Sequence, residues 1–295
     1  MTEEELMKKL REDVTFNPWL SASTGWESSS LDQYVLNAEA VRKYDEALRD
    51  SKEKDKSKMA LHLKLLPQPF VGTPEAGIWL MLKNPGWSEW DEYDYGGKSS
   101  NLYELREWNS AEEEQQMKEL RRELIFKQYK FTLEGDERFY VLHDAFHTKK
   151  DGVGKCEGAY RWYTKQLFPA NGNGLIRAID PGIKPSLYAS WSSRNLFVLD
   201  YFPYHSEKFY DGGADYLKQD YWSHLVEYGL TTKKLMVFWG SKILNRVKKD
   251  WPKEYEDAAK EGRIAILRSQ KAVFCDWNFV FATDKCGTRI KEFVK

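Results

Sequence analysis

Asn84 stands in Lys83-Asn84-Pro85-Gly86, directly after the apolar run Ile78-Trp79-Leu80-Met81-Leu82. Pro85 and Gly86 suit the central positions of a type II turn, with proline fixing φ and glycine taking φ > 0. Such a turn holds Asn84 at a strand tip, where its carbonyl oxygen can orient a water or its amide can bind a ligand. A second apolar run, Leu196-Phe197-Val198-Leu199, ends in Asp200-Tyr201-Phe202-Pro203-Tyr204-His205. An ionised Asp200 offers acceptors only and suits two adjacent donors, such as N1–H and N2–H₂ of a guanine-like edge. A protonated Asp200 offers one donor and one acceptor, as an asparagine does, but needs a raised pKa. Asp200 can equally cap a turn or pair with a nearby cation. His205 has the chemistry of an acid or base, and an ordinary loop histidine reads the same way.

The elements that must position these residues follow from the spacing. Five apolar residues closed by a turn read as a strand buried on both faces, as in a parallel sheet. Similar runs are Leu235-Met236-Val237-Phe238-Trp239, Ile264-Ala265-Ile266-Leu267 and Phe279-Val280-Phe281-Ala282. Helical patterns separate them. Ser110 and Glu113 form a capping box ahead of Met117, Leu120 and Leu124. Residues 158–167, 216–228 (stopped by Gly229) and 241–249 also read as helices. Ala38, Val41, Tyr44 and Leu48 recur at helical spacing. The stretch 50–58 reads as a solvated helix end or loop, and Pro67, Pro69, Gly72 and Pro74 as a connector.

Strands alternating with helices predict an α/β fold: a three-layer α/β/α arrangement around a mostly parallel sheet, with an N-terminal helical extension. The expected division is an extension over 1–70 and one α/β domain over 71–295. In such sheets ligands bind outside the carboxyl ends of the strands. That rule selects 83–90, 200–206 and 239–242.

Composition narrows the function classes. The 295 residues are 41% hydrophobic with 31% charged, enough for a sizeable core. They include 12 Trp, 17 Tyr and 15 Phe, rings that fill cores or line pockets for flat ligands. The net charge of −1 excludes a uniformly basic nucleic-acid coat. Residues 86–115 carry nine acidic side chains against two basic, whereas 231–250 carry six basic against one acidic. A nucleic-acid path would run along the later region, through Lys242 and Arg246, and on through Arg268 and Lys285. Cys156, Cys275 and Cys286 form neither a disulfide scaffold nor a metal-ligand spacing, so inert thiols in a reducing cytoplasm are expected. The acidic N-terminus lacks a signal-peptide run, and no stretch approaches a membrane span. A cytoplasmic location away from membranes is the expectation. His143 and His147 stand four apart without a His-Glu-x-x-His pattern, so no metal is expected, and no Walker or dinucleotide fingerprint calls for an organic cofactor.

Leu80-Met81-Leu82-Lys83-Asn84-Pro85-Gly86 resembles the first active-site motif of the uracil-DNA glycosylase superfamily, in its mismatch-specific and single-strand-selective branches. Leu82 replaces the glycine that stands two places before the asparagine there. The run 195–203 is similar to the superfamily's middle strand, with Asp200 where the family has a pyrimidine-reading asparagine. The resemblance implies an N-glycosidic hydrolase in which Asn84 positions the attacking water and no cofactor is needed. Pro85, Gly86, Asp200, Tyr201 and His205 would surround a base, and Trp87, followed by Trp90, Tyr93 and Tyr95, would stack on it. The family's His-Pro-Ser or Asn-Pro-Ser loop has no counterpart in sequence. Arg268 or Lys285, in the segments that would replace it, would balance charge on the leaving base. The implied partner is a nucleobase-containing ligand, with DNA as one form of it. A catalytically inactive binding protein on the same fold and an unrelated α/β enzyme are the other readings.

Overall fold

The structure, a computed structural model, describes residues 1–25, 34–86, 111–142, 147–148, 155–156, 162–163, 166–167, 182–267, 279–281 and 293. Strands β1 (Phe70–Gly72), β2 (Ile78–Leu82), β5 (Leu196–Asp200), β6 (Leu235–Phe238), β7 (Ile264–Leu267) and β8 (Phe279–Phe281) build one six-stranded sheet. Its order is β1-β5-β2-β6-β7-β8. The four central strands are parallel, and β1 and β8 close the edges antiparallel. A two-residue pair, β3 (His147–Thr148) with β4 (Lys155–Cys156), stands apart from it.

Every residue of β2, β5 and β6 is buried. Unbroken apolar runs therefore replace the alternation of a half-wet strand, because side chains on both faces meet protein. Helix α8 (Asp220–Thr231) covers one face, with Tyr228 stacked on Trp79 at 6.1 Å. Helix α6 (Tyr188–Asn195) and the 3₁₀ segment Gly135–Leu142 pack together beside β1, where Ser193 Oγ accepts from the Phe139 N–H at 3.1 Å.

Three local expectations need correction. Gly229 does not stop a helix, since α8 runs through it to Thr231. A Cβ there would stand 3.2 Å from both Met236 Sδ and the Trp79 ring, so glycine serves close helix-to-sheet packing. The pattern expected over 216–228 is divided at Lys218 into α7 (Asp211–Leu217) and α8. The proline-rich connector contains β1, a strand short enough to fit between Pro69 and Pro74 and placed on an edge, where proline is tolerated. The helix expected from Met117 is present as α5 (Ala111–Tyr129). Its capping box begins at Ser110, outside the described residues, as is most of 158–167.

The first seventy residues are largely helical. They contain α1 (Glu3–Glu12), α2 (Trp19–Gly25), α3 (Ala38–Asp50) and the single turn α4 (Lys56–Met59). Leu6 and Leu10 of α1, and Val41 and Tyr44 of α3, join the same apolar core as the sheet. Polar ties reinforce this packing. Asn17 Nδ2 donates to Leu10 O at 2.7 Å and to Tyr129 O at 2.8 Å, and Lys234 Nζ meets Glu3 at 2.9 Å. Among the described residues, no helix is long and apolar enough to cross a membrane.

Candidate functional site

The parallel block reads, by first appearance along the chain, second-first-third-fourth. The connection from β2 leads to β5 on one side and that from β6 leads to β7 on the other, so the crevice between β2 and β6 is a topological switch point. Residues 83–86 follow β2, and Trp239 and Gly240 follow β6 at that end.

Pairing persists beyond the strands. Tyr201 N–H donates to Leu82 O at 3.1 Å and Phe202 N–H to Lys83 O at 3.3 Å. Leu82 faces Asp200 in register. Asn84 lies two residues further on, which puts its Cα roughly 8 Å from that of Asp200, for strands about 4.8 Å apart rising about 3.3 Å per residue. The side-chain amide of Asn84 donates to Ser206 O at 3.1 Å and to Ser206 Oγ at 3.0 Å. A backbone carbonyl only accepts, so this pair fixes which end of the amide is nitrogen. Ser206 Oγ in turn donates to Lys208 O at 3.0 Å. Asn84 Oδ1 is left to accept, as orienting a water requires.

Gly86 takes φ +76°, the value expected for the glycine of a type II turn. Its carbonyl meets His205 Nδ1 at 2.8 Å, while His205 Nε2 meets Leu66 O at 3.1 Å. Each contact is a hydrogen bond only if that nitrogen carries a proton, and both at once require the imidazolium. The ring is thus a brace between the Asn-Pro-Gly turn and the segment before β1. His205 and Ser206, adjacent in one loop, hold Gly86 and Asn84 respectively.

Asp200 is fully buried, and neither carboxyl oxygen has a hydrogen-bond partner among the described residues. Burial pushes its pKa well above the ordinary value, favouring the neutral acid. Of the two forms considered from sequence, this environment favours the one with a donor and an acceptor. Tyr163 and Tyr221 lie close enough for the charge of Asp200 to reinforce the effect of burial in raising their phenol pKa values. Gln68 hydrogen-bonds Tyr163 and accepts from the Tyr140 hydroxyl at 3.4 Å. Asp200, Gln68, Tyr140 and Tyr163 therefore form a buried polar group beneath the strand ends.

Tyr201 turns toward a charged cluster instead. Its hydroxyl donates to Asp215, and the Arg246 guanidinium lies 5.0 Å over its ring. Arg246 pairs with Asp211 at 2.8 Å and Asp215 at 3.0 Å, and Lys242 stands 3.7 Å from Asp211. Burial acts to raise the Asp211 pKa, but Arg246 and Lys242 outweigh it and bring it below its usual value. These two cations are matched by surface carboxylates of the same chain, which weakens the attraction they offer to phosphates.

The structure thus brings Asn84, Pro85, Gly86, Asp200 and His205 to one end of the sheet. Trp87, Arg268 and Lys285, with Trp90, Tyr93 and Tyr95, lie outside the described residues. Lys83 and Ser206 lie at the ends of the segments 83–90 and 200–206 selected from sequence, but neither was given a role there. Gln68 and Phe209 were missed. Gln68, 132 positions from Asp200, gave no signal. Among the described residues, no three His, Cys, Asp or Glu side chains converge to hold a metal ion. Comparison of the chain with protein-family models, curated proteins and solved structures returns no match.

Proposed function

We propose that this chain is an N-glycosidic hydrolase of the uracil-DNA-glycosylase type, acting on a nucleobase in DNA or in a free nucleoside. The observation that carries the reading is the placement of Asn84 and Asp200 at the ends of adjacent parallel strands, with the Asn84 amide held by Ser206. As the bond from base to sugar lengthens, positive charge builds on the anomeric carbon. A water accepted by Asn84 Oδ1 adds there, and the base leaves with a proton. Asp200, as a neutral acid, reads the base edge through one donor and one acceptor. The chemistry needs no metal or organic cofactor. Positioning one water accounts for a large share of the rate.

A base-release assay on lesion-containing DNA and on free nucleosides tests this. Asn84→Ala should lose on the order of 10²-fold or more in rate, whereas activity equal to wild type removes Asn84 from the mechanism. A second reading is a catalytically inactive member of the same fold that binds a base, a nucleotide or a protein. The internal pairing of Arg246 and Lys242 favours it over action on duplex DNA. Binding of a base without its release would select that reading.

A further inference from the structure

Two lysines converge on one ring at the mouth of the sheet. The Lys83 ammonium stands 5.8 Å from the centre of the Phe209 ring, and that of Lys242 stands 5.9 Å from it. Phe202 stacks on Phe209 at 5.4 Å with 15° between planes. Phe209 is thus packed by a second ring while both ammonium groups stand within 6 Å of its centre. Lys242 has Asp211 at 3.7 Å, but the Lys83 ammonium has no ion-pair or hydrogen-bond partner among the described residues. Lys83 is partly buried, immediately precedes Asn84, and reaches the same loop: Asn84 touches Ser206 and Lys83 touches Phe209. Burial first, then the charge of Lys242, lowers the Lys83 pKa against the opposing effect of Asp211. A desolvated amine beside a second cation is a known way to make lysine nucleophilic near neutral pH.

We propose that Lys83 is a nucleophilic amine that forms an imine with the aldehyde of a ring-opened deoxyribose, with Lys242 and Phe209 as its positioning residues. The proposal rests on the hydrolase reading for the source of that aldehyde, since loss of a base leaves a hemiacetal carbon that opens to one. The neutral Nζ adds to the aldehyde carbon to give a carbinolamine. Water then leaves, carrying the former carbonyl oxygen and the two hydrogens of the amine, and a carbon–nitrogen double bond remains.

The test is reductive trapping on the full chain with 2-deoxyribose 5-phosphate and cyanoborohydride, which delivers hydride to the imine carbon. Adducts are located by peptide mass mapping. Lys83 should be modified well ahead of the exposed Lys248 and Lys249, and Lys83→Arg should remove that adduct while keeping the charge. Lys242→Met should slow trapping severalfold at neutral pH and move its pH midpoint upward, a readout that loss of packing alone would not give. Adducts distributed by exposure, with Lys83 unexceptional, overturn the proposal. So does a wild type that gives no Lys83 adduct but gains thermal stability from inorganic phosphate, a gain lost in Lys83→Met, because the pair is then an anion seat. Trapping requires no base release. Base release without a Lys83 adduct sinks the imine alone, and an adduct without base release sinks the hydrolase reading alone.

Discussion

The Asn84 amide nitrogen reaches both the backbone oxygen and the hydroxyl of Ser206, at 3.1 and 3.0 Å, across 122 residues of chain. That double contact orients a side chain which the local turn alone would leave free to rotate. Ser206→Ala removes the hydroxyl acceptor and strips Lys208 O of its donor. It should lower stability by about 1 kcal/mol, read as a shift of the urea midpoint. If Asn84 orients a water, the rate of base release should fall with little change in substrate affinity, and an unchanged rate would show that Ser206 does not position it.

Asp200 should make stability depend on pH in a particular direction. Its folded pKa lies well above the ordinary carboxylate value of 3.8. Above that value the unfolded chain releases the proton while the folded chain keeps it. Stability therefore falls as pH rises from near 4, by up to about 1.4 kcal/mol per pH unit, until Asp200 ionises within the fold. Asp200→Asn lacks this proton. Denaturation of the two proteins across pH 4 to 8 should show the variant gaining steadily over wild type, and parallel curves would mean that Asp200 is ionised in the fold.

Gly86 separates conformational cost from crowding. At φ +76° an added Cβ would meet nothing within 4 Å among the described residues. Gly86→Val should still cost about 1–2 kcal/mol, because a side chain is disfavoured in the left-handed region. Gly86→Asn should cost less, since asparagine enters that region readily. Thermal denaturation of both variants decides, and equal losses would count against the turn geometry.

The tie between Lys234 and Glu3 joins α1 to the start of β6. Lys234 is nearly buried and also donates to Glu75 O at 3.1 Å, while the Glu3 side chain is 45% exposed. Glu3→Gln should cost about 1 kcal/mol, and less at high salt, because one partner faces water. Urea unfolding should keep a single transition, as expected where α1 shares the core of the sheet.

The amino-acid sequence by itself determined the sheet's central strands and what stands at their ends. Parallel strands buried on both faces must be apolar throughout, so β2, β5, β6 and β7 appear as short unbroken runs, and Asn84 and Asp200 follow from where two of them stop. Local chemistry also determined the positive φ of Gly86. Other features were decided only by tertiary contact. Gly229 looks like a helix stop but is a contact surface for Trp79. The strand β1 hides between prolines because its pairing is with a segment 129 residues away in the register of Phe70 with Leu199. The protonation of Asp200, the brace made by His205, the hold of Ser206 on Asn84 and the meeting of Lys83 with Lys242 all depend on desolvation and on neighbours distant in the chain. A side chain's type sets what chemistry it can do, but its charge state and its partner are set by the groups that the fold brings against it.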